Sequence, residues 1–148
     1  MRSALLLLFS LVLSAYSWAQ CPEFRLQDLQ SLQNSADSDK EAWLRGHGFD
    51  LASRTGATFR YNKCWNGYHG SKTVYLQVIF WNTDSGSITF LCPDQEAFQA
   101  LRGAIEGRHG QTGTLGSSDV IIGQKFRYNF GSQYLDGVMH WSVAISLK

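Results

Sequence analysis

The residues with the most chemical reach are one cysteine and one histidine. Cys92 stands just before Pro93-Asp94, the opening of a predicted helix, where backbone N–H groups and the helix dipole lower a thiol's pKa. His140 opens the last strand-like run, His140-Trp141-Ser142-Val143-Ala144-Ile145. Together they are a candidate thiol nucleophile and base. No polar residue placed to orient the imidazole follows His140, and Cys92 itself reads as the end of a strand. The other three histidines, His47, His69 and His109, each precede a glycine. Turn and helix-end histidines share no face, so neither a metal site nor a cofactor is expected. The acids Glu23, Asp28, Asp84, Asp94, Glu106, Asp119 and Asp136 are scattered, which gives no carboxylate pair for glycoside hydrolysis. The glycines between 103 and 116 do not carry a strand into a helix, so they form no phosphate-binding loop.

A cysteine at a helix start, followed by a histidine on a later strand, resembles the papain-like cell-wall endopeptidases. The resemblance spans the second half of the chain and implies a thiol hydrolase with Cys92 as nucleophile and His140 as base. Pro93 departs from that family's pattern, which has a small hydroxyl residue there. The structural alternative is a buried or disulfide-bonded Cys92 with His140 on a sheet face, and it is the preferred reading.

Two other groups could make contacts. Trp65-Asn66-Gly67-Tyr68 puts two aromatics into a predicted loop, suited to stacking on a sugar or anchoring a protein contact. Phe59-Arg60-Tyr61-Asn62 recurs as Phe126-Arg127-Tyr128-Asn129. In both copies the aromatics alternate with Arg60, Asn62, Arg127 and Asn129. With His140, these four form a polar face that suits binding, because arginine is favoured at contact hot spots.

The chain of 148 residues is one domain's worth of material. Charged residues are only 17%, which excludes a long disordered tail. Residues 1–19 read as a cleaved signal peptide: Arg2, an apolar run from Ala4 to Ala15, then Ser17-Trp18-Ala19. No second long apolar run follows, so no membrane span is expected after cleavage. The alternative is a lipoprotein anchored at Cys21, which Gln20 disfavours. Without Arg2 the positive and negative residues balance, so nucleic acid is a poor partner. The expected partner is a protein or polymer outside the cytoplasm. Three cysteines in an exported chain suggest one disulfide and one thiol. A meander of strands 58–65, 72–82 and 87–92 sets Cys64 and Cys92 too far apart, which leaves Cys21–Cys92 as the expected pair.

The elements that must position these residues follow from periodicity. Helices are expected over Glu23–Gln33, from Ser38 to Gly46, and from Pro93-Asp94 through Phe98, Leu101 and Ile105. Strands are expected at 58–65, 72–81, 87–92, 124–130 and 138–147, with a loop at 66–70 and a long glycine-rich connection after the third helix. The fold class is α+β: helices on one face of a mainly antiparallel sheet of about five strands, in a single domain over 20–148. The echo, with Cys21-Pro22-Glu23 matched by Cys92-Pro93-Asp94, suggests a degenerate tandem helix–strand–strand repeat with halves 21–91 and 92–148. Small exported tandem-repeat domains such as the β-lactamase inhibitor proteins are similar in layout, with no shared motif. The function expected is a non-catalytic exported binding protein. The thiol hydrolase and a carbohydrate-binding module are the alternatives.

Overall fold

The computed structural model describes residues 21–109, 113–115 and 118–148. The expected signal peptide lies outside the described residues. The chain runs α1 (Leu26–Asn34), α2 (Asp37–Gly46), β1 (Asp50–Thr55), β2 (Thr58–His69), β3 (Lys72–Asn82), β4 (Ser87–Cys92), α3 (Gln95–His109), β5 (Gly113–Leu115), β6 (Ser118–Ile122), β7 (Phe126–Leu135) and β8 (Val138–Leu147). The sheet order is β1-β2-β3-β4-β8-β7-β6-β5, and every pairing is antiparallel. Two four-strand meanders thus meet where β4 pairs with β8. The fold is α+β, with eight strands among the described residues where about five were expected.

The additional strands come from two places. In β1 every residue is exposed, so an edge strand formed without any apolar alternation. β5 and β6 occupy part of the stretch read as a connection, and Gly103 and Gly107 belong to α3. The expected loop at 66–70 is a continuation of β2. α1 starts at Leu26, after Pro22, because the Asp28 carboxylate accepts the Arg25 N–H at 2.8 Å and caps the first turn. α2 starts at Asp37 with no side-chain cap, so the expected Ser38–Glu41 capping box does not form. Asp94 caps α3, its carboxylate accepting the N–H groups of Glu96 and Ala97.

Cross-strand partners in an antiparallel sheet share a face. The register therefore assigns sides. One row runs Phe59, Trp81, Ile88, Ile145, Tyr128 and Ile121, and the next runs Tyr61, Ile79, Phe90, Val143 and Phe130. These rows face the helices. Leu26, Leu29 and Leu32 of α1, Leu44 of α2, and Phe98, Leu101 and Ile105 of α3 close over them in one core. Phe24 stacks on Phe90 at 4.4 Å, and Phe98 on Trp141 at 5.5 Å. The echoed tetrapeptides fall in the second strand of the first meander and the third strand of the second, so they do not occupy equivalent places.

By alternation Val78 and Leu76 face away from the helices, on the other side from Phe98 and Leu101. Val78 is nonetheless fully buried, as is Leu91 opposite it, and Val74 and Val120 on the same face are buried too. This second apolar set lies outside the helix-side core. Both faces of β3 are consequently apolar, as its sequence suggests for a central strand.

Candidate functional site

The face turned away from the helices carries the polar residues of interest. Arg60 and Asn129 share a row with Phe80, Thr89 and Ala144. Asn62 shares the next row with Val78, Leu91 and Ser142, and Arg127 lies one row the other way, opposite Ser146. His140 belongs to the same side, because Trp141 next to it faces the helices.

This face is not open at its Arg60 end. The Arg60 guanidinium donates to the Asp136 carboxylate at 2.6 Å and to the Asn62 side-chain oxygen at 3.0 Å. Asp136 sits in the β7–β8 turn, and β3 and β4 separate β2 from β8 in the sheet. Three strand spacings span about 14 Å in a flat sheet, so the contact requires the sheet to curl over this face. The ends of the two long hairpins meet as well. β3 and β8 both run past the end of β4, forming two arms. The arms touch where His69 lies over Gly137, and a Cβ on Gly137 would come within 2.9 Å of the His69 ring. Gly137 follows Asp136 in a two-residue turn with positive φ at both positions (54° and 83°), a geometry that suits Asp-Gly. The register of β2 with β3 shifts between Trp65 and Tyr68, next to Cys64 at φ 57°, an irregularity of the kind that bends a strand.

Curling changes the status of the predicted binding residues. Asn62 and His140 are buried. The His140 Nδ1 bonds the Val138 carbonyl at 2.9 Å, and its Nε2 has no hydrogen-bond partner among the described residues. Arg60 is committed to Asp136. Arg127 and Asn129 remain half-exposed. The expected open polar face is therefore a concave surface whose Arg60 end is part of the interior.

The candidate dyad does not assemble. Cys92 pairs with Trp141 and points at the helices, whereas His140 points to the opposite face. Cys92 is buried, and burial, reinforced by the nearby Asp94 carboxylate, pushes its thiol up to about 12. Its position at a helix start gives no low-pKa thiol, because desolvation outweighs the dipole. The expected Cys21–Cys92 pair is replaced by Cys21–Cys64, with Cα atoms 5.8 Å apart, and Cys92 is free. β2, β3 and β4 lie in meander order, so Cys92 is two strands from Cys64, while the segment before α1 brings Cys21 to the β2 side. There Gln77 donates to the Pro22 carbonyl at 2.6 Å.

Trp65 and Tyr68 are exposed, at 55% and 72%, with ring centroids 5.6 Å apart and planes at 70°. On the other arm Tyr134 is 74% exposed, and Met139, its cross-strand partner, is exposed too. Sequence reading missed Tyr134, which lies on β7 beyond its expected end at residue 130, and Met139, which lies opposite it near the start of β8. No group of three or more His, Cys, Asp and Glu among the described residues could hold a metal ion. No helix among them is long and apolar enough to cross a membrane. No known protein family, curated protein or solved structure matches the chain, so the layout analogy with the β-lactamase inhibitor proteins carries no function, and the arms and the concave face must be read on their own chemistry.

Proposed function

We propose that this is an exported, non-catalytic interaction protein that binds an acidic protein partner through its two adjoining hairpin arms. The observation that carries this reading is the exposure of Trp65, Tyr68, Tyr134 and Met139 on two arms that touch at His69 and Gly137. Tryptophan, tyrosine and methionine are enriched at contact surfaces. Charge supports the choice of partner. Between Asp50 and Asp84 the chain has no acid but contains Arg54, Arg60, Lys63 and Lys72. Arg54 belongs to β1 and Arg60 is neutralised by Asp136, so Lys63 at its base and Lys72 at its tip are the lysine and arginine charges the β2–β3 arm keeps. Export is supported by residues 1–19 and by the Cys21–Cys64 disulfide, which suits an oxidising compartment. Cys21's sulfur is committed to Cys64, so it offers no thiol for a lipid.

The sugar-binding alternative needs rings that present a flat platform. Trp65 and Tyr68 stand edge to face, a geometry better suited to gripping an irregular protein surface. The test is affinity capture from the native envelope or secreted fraction at low and high salt. The parent protein is expected to recover a partner whose retention falls with salt. A Trp65→Ala, Tyr68→Ala variant and a Lys72→Glu variant should melt like the parent and lose it. Undiminished capture by both variants would overturn the assignment.

A further inference from the structure

A cavity of about 640 Å³ opens on the opposite half of the molecule, where the last turn of α3, the β6–β7 turn and the end of β8 come together. Its lining includes Arg108 and His109 from the helix, Gln124 and Lys125 from the turn, Lys148 after β8, and Gln30 from α1. No acidic side chain lines it. Arg108, Lys125 and Lys148 make no salt bridge among the described residues. Residues 1–20, 110–112 and 116–117 contain no Asp or Glu, so those stretches supply no side-chain carboxylate either. The polar partners these cations do have are neutral: Arg108 donates to the Gln30 side-chain oxygen at 3.4 Å, and Lys125 to that of Asn34.

The floor of the cavity is fixed. The His109 ring sits against Gly123 so closely that a Cβ there would come within 2.9 Å of its Nδ1. The ring also stacks on Tyr128 at 5.3 Å, and the Tyr128 hydroxyl accepts from Gln30 at 2.7 Å. Arg108 and His109 have a structural reason to end a helix, since positive charge complements the C-terminal dipole. That reason does not extend to Lys125 and Lys148, which arrive from other elements. Three side-chain cations around one concave surface, even with the Lys148 α-carboxylate set against one of them, leave a net positive surface that favours an anion.

We propose that this cavity binds a small ligand carrying two or more oxyanion charges, borne on phosphate or carboxylate groups. Its volume falls within the range of small-molecule sites, about 300–1,000 Å³. The proposal is independent of the arms and stands or falls without them.

Pyrophosphate and citrate are the probes, measured by calorimetry at low salt against a chloride control of equal ionic strength. At least one should bind saturably, and the tighter of the two identifies the anion class. An Arg108→Gln, Lys125→Gln variant should bind about ten-fold more weakly or worse, as expected when two contacting charges are removed. An Arg54→Gln variant should bind like the parent. Proton NMR of the parent keeps the test decisive even where the double variant fails to fold: the His109 ring signals should move on titration while those of His47 and His69 stay put. Absence of saturable binding by either probe up to about 10 mM overturns the proposal, since that limit is weaker than any specific site of this kind. So does equal binding by a folded double variant, or an NMR response that spares His109.

Discussion

The Arg60–Asp136 pair can be tested as the clasp that holds the two meanders curled. Its residues are 76 apart in sequence, at 17% and 24% side-chain exposure, with a 2.6 Å contact. At an effective dielectric near 20, opposite charges 4 Å apart attract by about 4 kcal/mol, and desolvation of both groups offsets part of that. Fully exposed pairs retain about 0.2–1 kcal/mol, and hydrogen bonds to charged groups in general about 1.5–3. A pair this sheltered but not fully buried should therefore show a coupling energy of about 1–2 kcal/mol. The perturbations are Arg60→Met, which keeps the aliphatic stem, and Asp136→Asn, which keeps a residue tolerant of the left-handed turn. The assay is urea unfolding of the parent, both single variants and the double variant. The cycle removes the separate loss of the Arg60–Asn62 bond. Because the pair is partly screened from solvent, the coupling should survive 1 M salt in large part. A coupling below about 0.3 kcal/mol, the usual scatter of such cycles, would refute the clasp and leave the curl to packing alone.

Four further outcomes are expected. Cys92 should resist alkylation: lifting its pKa from 9.0 to about 12 reduces its thiolate about a thousand-fold at pH 8, and labelling in the native state at the rate of an unfolded peptide would contradict its burial. The same shift favours the neutral thiol in the folded state, so its contribution to stability is intact below pH 9 and declines by about 1.4 kcal/mol per pH unit as pH rises from about 9 to 12; pH-dependent urea melts of the parent and Cys92→Ala isolate that component. Peptide mapping should find Cys21 joined to Cys64, and reduction should cost about 4 kcal/mol by loop entropy, given a sequence separation of 43. Phe98→Ala should cost about 3–5 kcal/mol in thermal or urea unfolding, and Trp141→Ala less, because Trp141 keeps part of its ring in solvent.

The helices and strands β2, β3, β4, β7 and β8 were legible because each had a face to bury. Phe98, Leu101 and Ile105 mark α3, and alternation marks β7 and β8. β1 was illegible for the opposite reason. Its residues are all exposed at a sheet edge, so nothing in Leu51-Ala52-Ser53-Arg54 had to alternate. β6 was hidden by the glycines around it, although Val120 and Ile121 are buried on its two faces. Hairpin length was underestimated because the arms leave the helix layer, and beyond it the demand for apolar alternation ends. The disulfide was misread because it depends on where the segment before α1 lies, which local pattern does not determine.

For the site, parity within strands already contained part of the answer. Ile88, Phe90 and Cys92 share one parity in β4, and Trp141, Val143 and Ile145 share one in β8. If Phe90 and Trp141 both face the helices, then Cys92 does too and His140 does not. The dyad was separable from sequence by that step alone. What parity could not show is curvature. Arg60, Asn62 and His140 lie on the face that alternation assigns to solvent, yet the sheet folds that face onto itself, and a polar residue there acquires a structural role. Arginine on such a surface is ambiguous: the same multiply donating head that suits a binding partner also suits Asp136 across the cleft. The aromatics escape this ambiguity. Trp65, Tyr68 and Tyr134 bury little against the fold and keep most of their area in solvent. A folded chain gains nothing from that exposure. Contact with a partner is what would bury them, which is why the arms, and not the concave face, carry the functional assignment.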